Sequence, residues 1–230
     1  MADEPGLRIG SFAGAAIVID PTIVLLALYV LLSAVASGGF AALPEALIFL
    51  GALILAVLLH EFGHAGVAAL LKLPSKRIVL TFFGGHVEFA GELKSRWQEI
   101  AVSFAGPAMN LLTFAAIIAF GRSAGQLPLE AIVFLNHLAY VSVVLGAFNL
   151  LPGFPLDGGR ILRSFLSYFM SLPRARFVAG ACGIIVAIGL GAYAYMNGLW
   201  WSVMIALFLA LAAWAEVRSA RTALASSAMG

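Results

Sequence analysis

Leu58-Leu59-His60-Glu61-Phe62-Gly63-His64 places two histidines and a glutamate inside an apolar run that covers about residues 46–71. On an α-helix, His60 and His64 are one turn apart and project from the same face, so both imidazoles can bind one zinc ion. Glu61 beside them is the residue that serves as a general base in H-E-x-x-H sites. Each ionisable side chain at membrane depth costs about 2.5 to 3.5 kcal/mol on insertion scales, so three of them in five residues indicate a metal partner. The alternative is a pair of buried helix histidines whose neighbours satisfy them.

The composition around this stretch is that of an integral membrane protein. The chain is 63% hydrophobic and 10% charged, with a mean hydropathy of +1.05, against about 45–50% and 25% in soluble domains. Its 230 residues suffice for several spans of about 20 residues in one domain, residues 1–230. Basic runs with interleaved aromatic residues do not occur, so we expect no nucleic-acid partner. The single cysteine, Cys182, excludes an internal disulfide and a cysteine-based zinc site, and we expect it to pack.

The hydropathy pattern predicts an all-α polytopic membrane protein of about six transmembrane helices, with a small membrane-associated β-hairpin after the second. The ends, residues 1–15 and 218–230, are interpreted as a polar lead and a frayed tail. Near the start of the first span, Asp20 can cap the helix or face the headgroups. The predicted spans are approximately 17–36, 46–71, 99–120, 131–151, 177–196 and 199–217.

The predicted hairpin, residues 77–92, consists of short β-branched and aromatic runs separated by Gly84-Gly85. An open hairpin cannot face lipid with unpaired edges, so it should lie at the interface or against protein near the site, where its edge could receive an extended peptide. His86 is a candidate ligand or substrate contact, and the alternative is a solvated histidine.

The third and fourth spans carry further polar signals. Ala105-Gly106-Pro107 allows close helix packing, and Asn110, a polar residue at depth, should point toward protein. Two prolines and three glycines after Asn149 must unwind the backbone before Arg160. Non-helical backbone at membrane depth lies in protein or lines a wet cavity, which assigns Asp157 to such a place.

Two histidines leave a catalytic zinc ion short of its usual three protein ligands, and Asp157 is the candidate for the third. The other aspartates, Asp3 and Asp20, precede the first span or lie near its start. A turn residue before two glycines is the alternative interpretation of Asp157. Asn149 could hold the substrate backbone or an oxyanion, or it could pack. We expect one zinc ion per chain, which would activate a water molecule whose proton Glu61 accepts.

The motifs together resemble the site-2 protease family of intramembrane zinc metalloproteases, and the match covers nearly the whole chain. The resemblance implies that His60, His64 and Asp157 bind zinc and that Glu61 is catalytic. It also implies regulated intramembrane proteolysis of a single-pass substrate, such as an anti-sigma factor or a membrane-bound transcription factor. The motifs that carry it are His60-Glu61-Phe62-Gly63-His64, Gly84-Gly85, Ala105-Gly106-Pro107, and Asn149-Leu150-Leu151-Pro152 with Asp157-Gly158.

The sequence has no PDZ-like insertion between spans, and it stops 13 residues after the sixth, where the subgroup it resembles often carries a pair of CBS domains. The chain is therefore either a minimal form or a truncated one. A zinc transporter and a catalytically inactive membrane scaffold are the alternatives, and an intact Glu61 disfavours the scaffold. A transporter needs further ligands along a path, whereas His86 and His137 are separate in sequence, and we expect His137 to be structural.

The basic residues predict the orientation in the membrane. With six spans and both termini in the cytoplasm of a bacterial or archaeal cell, twelve basic residues lie inside and only Arg122 lies outside, as the positive-inside rule requires. The zinc site should then open toward the cytoplasm. The inside set is Arg8, Lys72, Lys76, Arg77, Lys94, Arg96, Arg160, Arg163, Arg174, Arg176, Arg218 and Arg221.

Overall fold

A computed structural model describes residues 6–91, 95–123 and 127–227. These residues form two short strands, a pair of helices, a second pair of strands and five more helices. Several predicted features lie outside the described part of the chain. They are residues 1–5 of the polar lead, which include Asp3, residue 92 of the hairpin, Lys94, the side chain of Arg122, and residues 228–230 of the tail. In chain order the elements are β1 Leu7–Phe12, β2 Ala15–Ile19, α1 Ile23–Gly38, α2 Leu43–Leu70, β3 Ser75–Thr81, β4 Gly84–Phe89, α3 Arg96–Ser123, α4 Leu129–Asn149, α5 Asp157–Leu166, α6 Leu172–Met196 and α7 Trp200–Ser227.

Five helices in the described residues are long and apolar enough to cross a membrane. They correspond to α2, α3, α4, α6 and α7, and α1 is a shorter apolar helix. The helix count agrees with the predicted polytopic fold of about six spans, and the second, third and fourth predicted spans coincide with α2, α3 and α4 to within about three residues.

The first predicted span was wrong at its start, because residues 17–19 belong to β2 and the helix begins only at Ile23. The β-branched run there pairs with β3, and Asp20-Pro21 separates strand from helix. Asp20 Oδ1 accepts hydrogen bonds from the backbone N–H and the hydroxyl of Thr22, at 2.8 and 2.5 Å. These bonds lower the pKa of Asp20 below its ordinary value. The carboxylate thus lies at the helix start, although the N-cap residue is Thr22.

The hairpin is confirmed, and it belongs to a four-stranded sheet in the order β1-β2-β3-β4. β3 and β4 are antiparallel, with Val79 opposite His86 and the turn at 82–83, so that Gly84 and Gly85 begin β4 rather than forming the turn. β2 pairs with β3 in parallel, with Ile17 opposite Ile78. The predicted polar lead is therefore partly wrong, because residues 7–12 form β1.

The predicted frayed tail is also wrong over residues 218–227, since α7 continues to Ser227. The polar residues beyond the apolar segment find partners that keep the helix formed. The Arg176 guanidinium on α6 donates from Nε to Glu216 at 2.7 Å and from Nη2 to Ser219 at 3.2 Å. The Arg221 guanidinium lies 5.5 Å from the centroid of the Phe177 ring.

The contacts divide the chain into two units, Met1–Glu92 with Ala105–Gly146, and Leu93–Phe104 with Ala147–Gly230. The first unit has one core under the sheet, around Ala65 and Ile78, and another between α2 and α4, around Ala52 and Leu138. In the second unit, Leu156, Ala187 and Leu209 form the core. A single functional domain over residues 1–230 stays a prediction.

The backbone between α4 and α5 is non-helical, as the prolines and glycines predicted. The short helix α5 that follows was not anticipated, and Asp157 is its first residue. Gly158 and Gly159 let this helix start against the unwound segment. A Cβ at Gly158 would overlap the carbonyl oxygens of Leu150 and Leu151, and one at Gly159 would overlap the backbone at Gly153.

Candidate metal centre

The two histidines of α2 turn their ring nitrogens toward each other. The Nε2 atoms of His60 and His64 are 3.1 Å apart, and their rings are nearly perpendicular. Two imidazoles that bind one tetrahedral zinc ion at about 2.0–2.1 Å have nitrogens roughly 3.3 Å apart. Both side chains are buried, so water cannot easily satisfy both nitrogens. The spacing and the burial fit a shared metal ion.

Asn110 on α3 selects the tautomer of one of these rings. Its Oδ1 lies 2.6 Å from His60 Nδ1, and its Nδ2 donates to the carbonyl oxygen of Ala56 at 3.0 Å. Because the bond to Ala56 requires the amide nitrogen, the oxygen must face His60, and Nδ1 must carry the proton. The lone pair of Nε2 is then available to a metal. Asn110 points toward protein as predicted, and this contact with His60 is a role that the sequence did not indicate.

The close helix packing predicted for Ala105-Gly106-Pro107 occurs against the histidine turn. A Cβ at Gly63 of α2 would overlap the carbonyl of Ala105. A Cβ at Gly106 would overlap His64 Nε2 and lie 2.8 Å from His60 Nε2. The absence of a side chain at Gly106 therefore leaves the space beside the ring nitrogens open.

Glu61 lies under the start of β4. A Cβ built on Gly85 would lie 2.6 Å from Glu61 Cγ and 2.7 Å from Oε1, so the strand backbone lies directly against the carboxylate. The preceding residue, Gly84, has a φ of +124°, a conformation that residues with side chains rarely adopt. Glu61 is itself buried. The glycine pair thus brings the backbone of β4 to the candidate general base.

The other histidines have different neighbours. His86 alternates with Gly85 along β4 and faces the other side of the sheet, where its Nε2 lies 3.7 Å from Glu88 Oε1. His137 Nε2 on α4 lies 3.5 Å from Glu45 Oε1, and its ring packs edge-on against Phe49. These contacts agree with a packing role for His137.

In the second unit, Asp157 is buried at the N-terminus of α5, where the helix dipole favours a negative charge. Asn149 is half-buried at the C-terminus of α4, immediately before the unwound segment. The donor chemistry of Asp157 suits a divalent cation such as zinc.

Comparison with known proteins identifies relatives. The family model described as peptidase family M50 matches residues 48–134 and 124–192. A provisionally named zinc metalloprotease of Synechocystis is 31% identical over 94% of this chain and 60% of its own length. Stage IV sporulation protein FB of Bacillus subtilis is 40% identical over 53% of this chain and 40% of its own length. The chain therefore spans only about half the length of these relatives.

The fold also has a counterpart among solved structures. The site-2 protease from Methanocaldococcus jannaschii superposes with a TM-score of 0.69 at 23% identity, over 93% of this chain and 95% of that chain. At this identity the likeness concerns the fold alone.

Proposed function

The chain belongs to peptidase family M50, the site-2 protease family, and we propose from this membership that it is an intramembrane zinc metalloprotease. The reaction is the hydrolysis of a peptide bond within or near the transmembrane segment of a membrane-anchored protein. The observation that carries this proposal is the convergence of the His60 and His64 Nε2 atoms at 3.1 Å, on the helix that also bears the buried Glu61.

The proposed ligands of a single zinc ion are His60, His64 and Asp157. All three are buried, and each offers one ligand atom. They make up the set of three protein ligands that a catalytic zinc site uses, with a further position for water or substrate. When bound, the ion would polarise the substrate carbonyl and lower the pKa of a water molecule.

The residues of the chain supply the proton transfer and the binding of substrate. Glu61 accepts the proton of the attacking water and donates it to the leaving amine. The buried surroundings of Glu61 exclude bulk water from this transfer. Asn149 is proposed to hold the substrate backbone or the oxyanion, because its amide is a neutral hydrogen-bonding group beside the unwound segment.

The proposed substrate is a single-pass membrane protein of the anti-sigma factor or membrane-bound transcription factor type, and its cleavage releases a signalling domain. Its segment must be extended at the scissile bond. In the described sheet β4 is a terminal strand, so its outer edge can pair with such a segment beside Gly84 and Gly85. His86, on the opposite face of β4, is proposed to contact substrate away from the zinc ligands.

The test combines metal analysis with cleavage assays on purified protein in detergent. Wild type and Glu61→Gln should both contain one zinc ion per chain, and only wild type should cleave synthetic single-pass peptides. A Glu61→Gln variant that still transports zinc into vesicles would instead indicate a transporter. Wild-type protein that cleaves the peptides without stoichiometric zinc would overturn the zinc mechanism, and zinc-loaded wild type that cleaves none of them would indicate a scaffold.

A further inference from the structure

An apolar cavity of about 170 Å³ lies in the first unit between α1, α2 and the turn of the β3–β4 hairpin. Neither His60 nor His64 is among its lining residues. Its walls include Ile23 and Leu26 of α1, Leu53 and Val57 of α2, and Phe82 and Gly84 of the hairpin.

The cavity lies next to the proposed general base. Val57 precedes Glu61 by four residues, which is about 6 Å along the axis of α2. Gly84 adjoins Gly85, whose backbone lies against the Glu61 carboxylate. Side chains two residues apart on one face of an extended peptide are about 6.6–6.8 Å apart. We therefore expect a peptide extended beside β4, with its scissile bond at Glu61, to bring a nearby side chain within reach of this cavity.

The chemistry of the walls selects an apolar guest. Two polar groups of the hairpin turn are engaged in hydrogen bonds, since the Phe82 N–H donates to Thr22 Oγ1 at 3.2 Å and the Thr81 hydroxyl donates to the Gly84 carbonyl at 3.1 Å. The remaining lining is aliphatic and aromatic. A dry cavity of about 150 Å³ holds a benzene molecule, so this one has the volume for one side chain between leucine and phenylalanine in size.

We propose that this cavity is a specificity subsite that binds one apolar side chain of the substrate, of leucine to phenylalanine size, at a fixed position close to the scissile bond. The proposal rests on the proteolytic function proposed above. It assigns Leu26 and Leu53, which neighbour no zinc ligand in the chain, to substrate selection.

Leu26 offers a direct test, because its side chain lies at the cavity wall and Leu25, beside it on α1, is exposed and outside the lining. The probes are synthetic 24-residue apolar peptides that differ at single positions, and mass spectrometry locates the cleaved bonds. Wild type should prefer leucine, methionine or phenylalanine at one position relative to the bond. Leu26→Trp should lower kcat/KM for phenylalanine relative to alanine at that position by about tenfold to a hundredfold.

Leu26→Ala should move the preference in the opposite direction, toward tryptophan, and Leu25→Trp should leave the ratios unchanged. Glu61→Gln should abolish every cleavage. If Glu61-dependent cleavage persists with the same ratios in both Leu26 variants, the subsite is wrong and the protease assignment stands. The subsite is likewise wrong, and the protease assignment stands, if Leu26→Trp releases co-purified lipid from the protein but leaves the kcat/KM ratios unchanged. If wild type shows no Glu61-dependent cleavage, both proposals fall.

Discussion

At the scale of single residues, Asn110 influences the proposed zinc site without being a ligand itself. It does so by accepting a hydrogen bond from Nδ1 of the proposed ligand His60. The amide is fully buried, and its bond to Ala56 prevents it from turning its nitrogen toward the ring. An acceptor at this place selects the imidazole tautomer that binds metal through Nε2, and it also orients the ring.

Replacing Asn110 with alanine should therefore weaken zinc binding by about 10- to 100-fold, the usual effect of losing the hydrogen-bond partner of a metal ligand. Asn110→Asp keeps an acceptor and should retain more affinity than alanine. Competitive zinc titration on detergent-solubilised protein measures both. Asn136→Ala removes an exposed asparagine from α4 and is the control. Equal affinities for the alanine variants at positions 110 and 136 would contradict the role of Asn110.

The second prediction concerns Gly106, where replacing glycine with alanine, a change that usually stabilises a helix, should prevent zinc binding. Alanine in a helix is ordinarily favoured over glycine by about 1 kcal/mol. At Gly106 the added methyl would occupy the space beside the two Nε2 atoms, so Gly106→Ala should abolish zinc binding and the thermal stabilisation by zinc. Gly121 lies in the same helix with open space around it, and Gly121→Ala should keep both. Zinc-dependent stabilisation of Gly106→Ala would refute this interpretation.

At the scale of elements, α5 is held by an ion network in the second unit. Arg163 of α5 forms an ion pair with Glu99 of α3, and its Nη1 lies 3.9 Å from Glu216 of α7. Ser164 also donates to Glu99. Burial lowers the pKa of Arg163, and the negative charge of Glu216 opposes this shift. The network connects the helix that begins with Asp157 to the first turn of α3 and to the interior of α7.

Arg163→Gln should destabilise the protein by about 2 kcal/mol, because it removes the cation that pairs with the partly buried Glu99 carboxylate, whereas Glu216 keeps its ion pair with Arg176. The expected size lies below that of a fully buried pair, because the side chains of Arg163 and Glu99 are each 23% exposed. The midpoint of thermal unfolding in detergent measures the effect. The matched control is Arg160→Gln, which changes an exposed arginine of the same helix. If the two variants unfold at the same temperature, the network contributes nothing.

The same elements indicate what the sequence could and could not predict. Apolar length predicted α2, α3 and α4 well, because a run of about 20 apolar residues leaves few alternatives in a membrane protein. It misplaced the start of the first span, because Ile17-Val18-Ile19 is as apolar as a helix and only its partner strand β3 makes it a strand. The helix α5 was missed because prolines and glycines precede it. The site residues could be predicted from the spacing within motifs. The contact of Asn110 with His60 could not, because the two residues are 50 positions apart on different helices.

At the scale of the whole molecule, the pairing of β2 with β3 constrains the path of the chain through the membrane. β2 precedes α1, β3 follows α2, and the two strands are hydrogen-bonded from Ala16–Arg77 to Ile19–Leu80. Between β2 and β3, the chain must therefore leave one side of the membrane and come back to that side. A crossing by α2, which its length and composition allow, therefore requires that α1 crosses as well. Its 16 residues reach only about 24 Å, less than the roughly 30 Å of a typical hydrocarbon core, so local thinning or insertion of the flanking segments must accommodate it.

This path, together with the excess of basic residues expected on one side, predicts that β1, the α2–β3 connection and both termini face the cytoplasm. In a Cys182→Ser background, cysteines at Ser11 and Lys72 should react with a membrane-impermeant thiol reagent only after cells are permeabilised. Cysteines at Gly39, after α1, and at Asn197, after α6, should react in intact cells. Labelling of position 11 from outside, with position 72 protected, would mean that α1 does not cross, and the strand pairing could not then form in the membrane. Labelling of both from outside would invert the orientation and leave the pairing argument intact.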